Sequence, residues 1–257
     1  MIIDYNYVGG SFTETPGLIQ EARPVSDDRF FMRTGRKIVV TGHYGSGKTE
    51  FSVSLAMLLA AETDCKLAVI DLDIVNPYFR SRERRDALMK MGVPVYGSVY
   101  KEEVTAEIPA LAADVRAPLE DSGCRVIIDA GGNDSGALVL NQFGKYLTDT
   151  ETTALVVVNA NRPGTSDVRG ALEHIRAIEK AAGIKARGIV NNSHLVRETT
   201  AETIVKGHEL CKKVYEMTGI ELWCDCYPAG IVAPEELAGL SGNLMPLGLY
   251  MRPAWLY

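Results

Sequence analysis

A chain of 257 residues is long enough for one large domain with a substantial core, or for two small ones. Its 46% hydrophobic and 23% charged residues are ordinary for a globular protein, and a formal net charge of −6 disfavours non-specific nucleic-acid binding. The longest apolar stretch, around Phe51 to Ala61 and broken by Ser52 and Ser54, is too short to span a bilayer.

The first residues, MIIDYNYVGG, carry no basic region and place Asp4 early, which argues against a secretory signal. Five cysteines, an odd number, then suggest reduced thiols, and a cytoplasmic location is the expectation. Residues 1–36 mix Gly9, Gly10, Pro16, Gly17 and Pro24 with scattered charges and hold no period. They read as an N-terminal extension that packs on, or hangs from, a single domain spanning 37–257.

From Lys37 onward, short β-branched runs alternate with segments of helical period. The runs are Lys37–Thr41, Leu67–Asp71, Val93–Val99, Arg125–Asp129, Thr153–Asn159, Ala186–Asn191 and Glu221–Tyr227. Between them, Phe51, Leu55, Leu58 and Leu59 share one helical face. So do Val168, Leu172 and Ile175, and later Ile204, His208, Cys211 and Tyr215. Runs that are apolar on both faces suit central strands covered by helices on each side. The expectation is an α/β, three-layer fold with a mainly parallel sheet of about seven strands and right-handed crossovers. Its ligand site would lie beyond the carboxyl ends of the strands. The tail from Ala238 to Tyr257 fits no element.

Gly42-His43-Tyr44-Gly45-Ser46-Gly47-Lys48-Thr49 matches G-x-x-x-x-G-K-[ST] in full. Glycines let the backbone take left-handed angles, so that successive N–H groups turn inward around a phosphate. Lys48 adds positive charge for the outer phosphates, and the Thr49 hydroxyl is a magnesium ligand. The helix that opens near Thr49 and Glu50 aims its positive end at the anion. A strand directly before the loop and an amphipathic helix directly after it favour this reading over a chance glycine-rich turn. A bound nucleoside triphosphate with Mg2+ is the implied cofactor.

Such a loop needs a carboxylate to hold the metal through water. Asp129 ends a buried run and is followed by Gly131 and Gly132, whose backbone can approach a terminal phosphate. The alternative is an aspartate that merely caps the strand. Asp71-Leu72-Asp73 ends the second run. Its two acids point to the same side of an extended segment and repel unless a cation or water network separates them. The alternative there is a pair of solvated loop acids.

GHYGSGKT, VIDLD and VIIDAGG, in this order, resemble the ParA/MinD-like nucleotide-binding proteins of the SIMIBI class of P-loop NTPases. The resemblance covers about Lys37 to Ile231. It implies ATP and magnesium, with Asp71 and Asp73 as the acidic pair that serves metal coordination and water orientation. Asp73 is the matching water-orienting acid and, with Lys48, the catalytic candidate. Many relatives carry a second lysine early in the loop that reaches a partner's nucleotide across a homodimer. Here His43 takes that place and Tyr44 follows it, which puts dimer-driven hydrolysis in question. GTP-specific relatives read guanine with N-K-x-D, which is absent. Asn191, Asn192 and Pro228 match positions that flank adenine.

The leading expectation is an ATPase switch read by a protein partner, because two candidate mobile segments follow the acidic motifs, the first matching a region that changes conformation with nucleotide state in the family. These are the stretch from Asn76 through Arg80 to Arg85, and Asn133-Asp134-Ser135-Gly136. A second reading is metal or cofactor delivery by Cys224 and Cys226, two apart on a strand, set against their burial as small core residues. A third is an ATP-dependent small-molecule kinase or ligase-like enzyme.

Overall fold

The computed structural model describes residues 5–8, 11–14, 30–62, 65–72, 85–97, 115–132, 139–147 and 150–250. Near the amino terminus, β1 (Tyr5–Val8) and β2 (Ser11–Glu14) form a two-stranded antiparallel ribbon. The main sheet contains β3 (Lys37–Gly42), β4 (Lys66–Asp71), β5 (Val95–Gly97), β6 (Cys124–Asp129), β7 (Thr152–Val158), β8 (Ala186–Asn191), β9 (Glu221–Pro228) and β10 (Leu244–Leu247). Its order is β10-β9-β8-β7-β3-β6-β4-β5, and every pairing is parallel. The expected parallel α/β architecture holds, with eight strands in place of about seven.

The added strand is β10, in the tail that fits no element by its sequence. It is four residues long and contains Pro246, which the ladder tolerates because β10 lies at the sheet edge. The expected run Val93–Val99 shortens to Val95–Gly97. β5 lies at the opposite edge, where only one neighbour stabilises a strand.

The central strands β3, β6 and β7 are buried at every position. Their side chains alternate between two layers. Ile38 and Val40 join Phe51, Leu55 and Leu59 of helix α1 (Lys48–Glu62) on one face. On the other face, Val156, Val158 and Ile189 meet Leu172, Ile175 and Ile178 of α2 (Val168–Ala182) and Cys211 and Val214 of α3 (Ala201–Thr218).

Local signals set the helix limits. The Asp167 side chain accepts the Gly170 N–H at the start of α2, and Gly183 ends it in the left-handed region at φ 69°. Thr200 and Thr203 cap α3 reciprocally, and Gly219 closes it at φ 73°. Of the apolar face expected on α3, Ile204, His208 and Cys211 are buried, but Tyr215 is 48% exposed. Tyr215 falls in the last turn, where Val214 supplies the buried contact.

Residues 30–36 pack on the domain. Phe31 enters the core, and the buried Arg125 guanidinium donates to the Phe31 carbonyl at 2.7 Å. Arg36 Nη1 donates to the carbonyls of Asp121 and Cys124 at 2.9 and 3.0 Å. These bonds tie the segment before β3 to the amino end of β6.

Between β8, β9 and α3 lies one buried polar network. His208 Nδ1 pairs with Asp225 Oδ2 at 2.7 Å, while Asn191 Nδ2 donates to Asp225 Oδ1 at 2.6 Å. The hydrogen bond to Asp225 raises the His208 pKa, against an opposing push from burial. A raised folded-state pKa means that the stability from this ion pair is complete below the ordinary histidine value of about 6.5. It fades as pH rises through the raised value. His208→Ala is therefore expected to lose about 3 kcal/mol at pH 6, with the deficit shrinking toward pH 9, measured by urea unfolding at both pH values. A pH-independent deficit would contradict a charged pair.

Candidate nucleotide site

β3 runs between β6 and β7 and ends at Gly42, so the loop 43–47 emerges from the middle of the sheet's carboxyl edge. Three of its glycines take backbone angles that favour glycine: Gly42 at φ 153°, Gly45 at 73° and Gly47 at 83°. Neighbours also crowd them. A Cβ on Gly42 would collide with the Val157 carbonyl, and one on Gly47 with the Asn192 amide. A Cβ on Gly132 would fall onto the Gly42 carbonyl oxygen. The second glycine of D-A-G-G therefore lets the loop after β6 lie directly against the phosphate loop.

Within the loop, Ser46 N–H donates to the His43 carbonyl at 3.0 Å, and Phe51 N–H to the Gly47 carbonyl at 3.0 Å. The second bond places Gly47 at the start of α1, whose positive dipole end faces the loop. Lys48 and Thr49 are both buried, at 6% and 7% exposure. The Ser46 and Thr41 hydroxyls are buried without a hydrogen-bond partner among the described residues.

Two flanking side chains hold the loop from outside. Arg162 Nε donates to the Gly45 carbonyl at 2.8 Å, and Asn192 Nδ2 donates to the Ser46 carbonyl at 2.8 Å. Arg162 follows β7, and Asn192 follows β8. His43 folds back on its own chain: its ring meets the His174 ring edge-on at 5.2 Å between centroids, and Nδ1 lies 3.0 Å from the Tyr44 carbonyl. Tyr44 is 63% exposed.

Two of the expected metal ligands, Asp71 and Asp129, end adjacent strands. Asp129 pairs in register with Asp71 of β4 on one side and with Val40 of β3 on the other. Asp129 is fully buried and Asp71 nearly so. Ser52 Oγ, one turn beyond Thr49, donates to Asp129 Oδ1 at 3.4 Å and links the helix to the acid. Thr49, Asp71 and Asp129 thus supply hard oxygen donors, the type that magnesium selects. Among the described residues no three His, Cys, Asp or Glu side chains form a metal cage, and a magnesium ion carried by a triphosphate needs none. Asp73 lies outside the described residues, as do residues 76–84 and Asn133-Asp134-Ser135-Gly136.

Other expected site residues are spent on the fold. Both amide hydrogens of Asn191 go to protein acceptors, Asp225 Oδ1 at 2.6 Å and the Ile204 carbonyl at 3.0 Å, while its Oδ1 accepts from Ser193 N–H at 3.1 Å. That side chain holds the strand end in place of a base edge. Glu50 Oε1 accepts the Tyr250 N–H, so it ties the C-terminal segment to α1. Pro228 ends β9 as a buried residue, and its carbonyl accepts from Ile231 N–H at 3.1 Å. Cys224 and Cys226 share a face, as their spacing requires, but that face is the core under α1. Burial pushes the Cys226 thiol well above the usual cysteine range, which favours the uncharged form over a metal-binding thiolate.

Sequence reasoning missed Arg162, His174 and Ser52. Asn161-Arg162-Pro163-Gly164 was visible as turn chemistry directly after a buried strand, in a fold whose ligands sit at strand ends. No local pattern marks His174 or Ser52, because both lie inside helices and meet the site only in space.

No known family model matches the chain. In solved structures it is similar to cell division protein FtsY from Thermotoga maritima, with 20% identity and a TM-score of 0.51 over 73% of this chain and 60% of that one. FtsY from Mycoplasma mycoides gives 16% identity and a TM-score of 0.52, over 79% and 62% of the two chains. The 54 kDa signal recognition particle protein from Aeropyrum pernix, solved with GDP, gives 17% identity and a TM-score of 0.50, over 77% and 43%. The chain thus spans less than two thirds of the length of these proteins. Among the described residues no helix is long and apolar enough to cross a membrane. At the level of fold, the chain shares the parallel α/β architecture of these solved structures.

Proposed function

We propose that the chain binds ATP with magnesium in the loop Gly42–Thr49 and acts as a nucleotide-dependent switch on a partner protein. One observation carries the binding reading: a glycine cradle held open by its neighbours, at the start of a buried helix, with Lys48, Thr49, Asp71 and Asp129 gathered around it. Bound magnesium would draw charge from the phosphates. Thr49 and the two aspartates would hold it, and Lys48 would neutralise the outer phosphates.

Adenine is the base we favour. Guanine presents N1–H and N2–H2 donors and needs a carboxylate acceptor of the kind that N-K-x-D supplies. The segment from the end of β8 reads Asn191-Asn192-Ser193-His194 and has none. Asp225, one strand away, is occupied by His208 and Asn191. The GDP in the signal recognition particle protein makes GTP the competitor to be tested. Metal delivery through Cys224 and Cys226 draws no support from their burial. ParA/MinD-like membership rests on the motif order.

His43 bears on hydrolysis. Packed against His174 of its own chain, it does not supply the cross-dimer cation of the ParA/MinD-like relatives. Turnover by the isolated chain is then expected to be slow, and stimulation is assigned to a partner.

Titration calorimetry with ATP, ADP and GTP, with and without magnesium, tests the reading. Magnesium-dependent ATP binding that exceeds GTP binding is expected, and its absence ends the proposal. Lys48→Ala should weaken ATP binding roughly tenfold to a hundredfold, the value of a charge-assisted hydrogen bond at a buried site. Gly132→Ala should displace the loop and remove measurable binding. If it binds ATP as the wild type does, the contact with Gly42 is not what shapes the cradle.

A further inference from the structure

We propose that Arg162 is a positioning residue of the phosphate loop, acting on bound nucleotide through the Gly45–Ser46 peptide. The inference rests on the nucleotide-binding reading above. It starts from the planarity of the peptide bond: in a trans peptide the C=O and the N–H point in opposite directions. A donor that holds a loop carbonyl therefore also fixes the direction of the N–H of the same peptide, and with it the shape of the loop.

Arg162 does this for the Gly45 carbonyl at 2.8 Å. The Ser46 N–H of that peptide points across the loop to the His43 carbonyl at 3.0 Å. Asn192 does the same for the next peptide, holding the Ser46 carbonyl and aiming the Gly47 N–H. Two successive peptides of the loop are thus fixed by side chains from other segments, the first with its N–H closing the loop on the His43 carbonyl. The guanidinium also presses close: a Cβ on Gly45 would stand 3.0 Å from Arg162 Cζ and Nε.

The arginine is itself anchored. Its N–H donates to the Asn159 carbonyl at 3.1 Å, and its carbonyl accepts the Thr165 N–H at 2.9 Å. Asn159 is fully buried, and its Oδ1 accepts the Asn161 N–H at 2.9 Å. The two bracing loops are tied to each other as well. Asn159 Nδ2 donates to the His194 carbonyl at 3.4 Å, and Ala160 N–H to Ser193 Oγ at 2.9 Å. Arg162 therefore meets the loop from a fixed frame, which is the condition for pre-organising a binding site.

Arginine suits the task better than lysine. Its charge is permanent, its Nε–H has a fixed direction in the guanidinium plane, and a charged donor polarises the peptide it binds. A polarised peptide is a stronger N–H donor, here to the His43 carbonyl that closes the loop.

The test compares Arg162→Ala, Arg162→Lys and Arg162→Gln with the wild type by MgATP titration, at about 0.05 M and about 0.5 M salt. Thermal melting without nucleotide is measured in parallel. Arg162→Ala and Arg162→Lys should each weaken binding about tenfold at both salt concentrations, with unliganded melting unchanged. Arg162→Gln keeps a neutral donor and should lose less. It carries the test if the alanine variant melts early. Wild-type affinity in Arg162→Ala overturns the inference. So does full rescue by Arg162→Lys, which would make charge alone the cause. A deficit that disappears at high salt has the same meaning. If the wild type binds no MgATP, the nucleotide reading itself fails, a result separable from a bound wild type with unaffected variants.

Discussion

The close approach of Gly132 to the Gly42 carbonyl is the constraint on which the site depends. Three parallel strands, β6, β3 and β7, end side by side, and the chains leaving them must share the space above the sheet. Only a residue without a Cβ lets the loop after β6 lie against the loop after β3. That contact brings Asp129 beside the start of α1, where Ser52 reaches it. The carboxylate at the end of β6 is thus joined to the helix that carries Lys48 and Thr49, although the two come from separate parts of the chain.

The sheet provides the rigidity that such crowding needs. Its central strands are buried on both faces, and α1 packs its apolar side chains directly beneath the loop it follows. A cradle of backbone N–H groups binds an anion well only if those groups are aimed beforehand. Here the aim is set from outside, by carbonyl contacts from Arg162 and Asn192 and by glycines held in left-handed geometry. The network of His208, Asp225 and Asn191 fixes the end of β8, from which Asn192 departs. A buried polar network behind the loop therefore contributes to the position of one of the braces.

Seen from the same frame, the departure from the ParA/MinD-like pattern has a structural consequence. A lysine at position 43 would be long and mobile enough to reach out of the loop. His43 instead packs over Gly164 and against His174, and the exposed side chain at the loop's crest is Tyr44. The surface beside the loop is then aromatic, with Tyr44 63% exposed at its crest.

The amino-acid sequence by itself determined the glycine-rich turn after β3, the central strands and the placement of Asp71 and Asp129 at strand ends. All of these are local: glycine spacing, β-branched runs and acids at strand ends state their geometry within a few residues. What it left open needed contacts over long separations. Asn191 matched a base-flanking position in the sequence, yet its amide is consumed by Asp225, 34 residues away. Cys224 and Cys226 had metal-like spacing, and only the packing of α1 over β9 made them core. β10 has too few residues and too weak a period to be recognised before β9 offers it an edge. Arg162 reaches Gly45 across 117 residues, and no local pattern carries such a contact. The tertiary structure decided these roles because burial and hydrogen-bond satisfaction depend on which strands become neighbours.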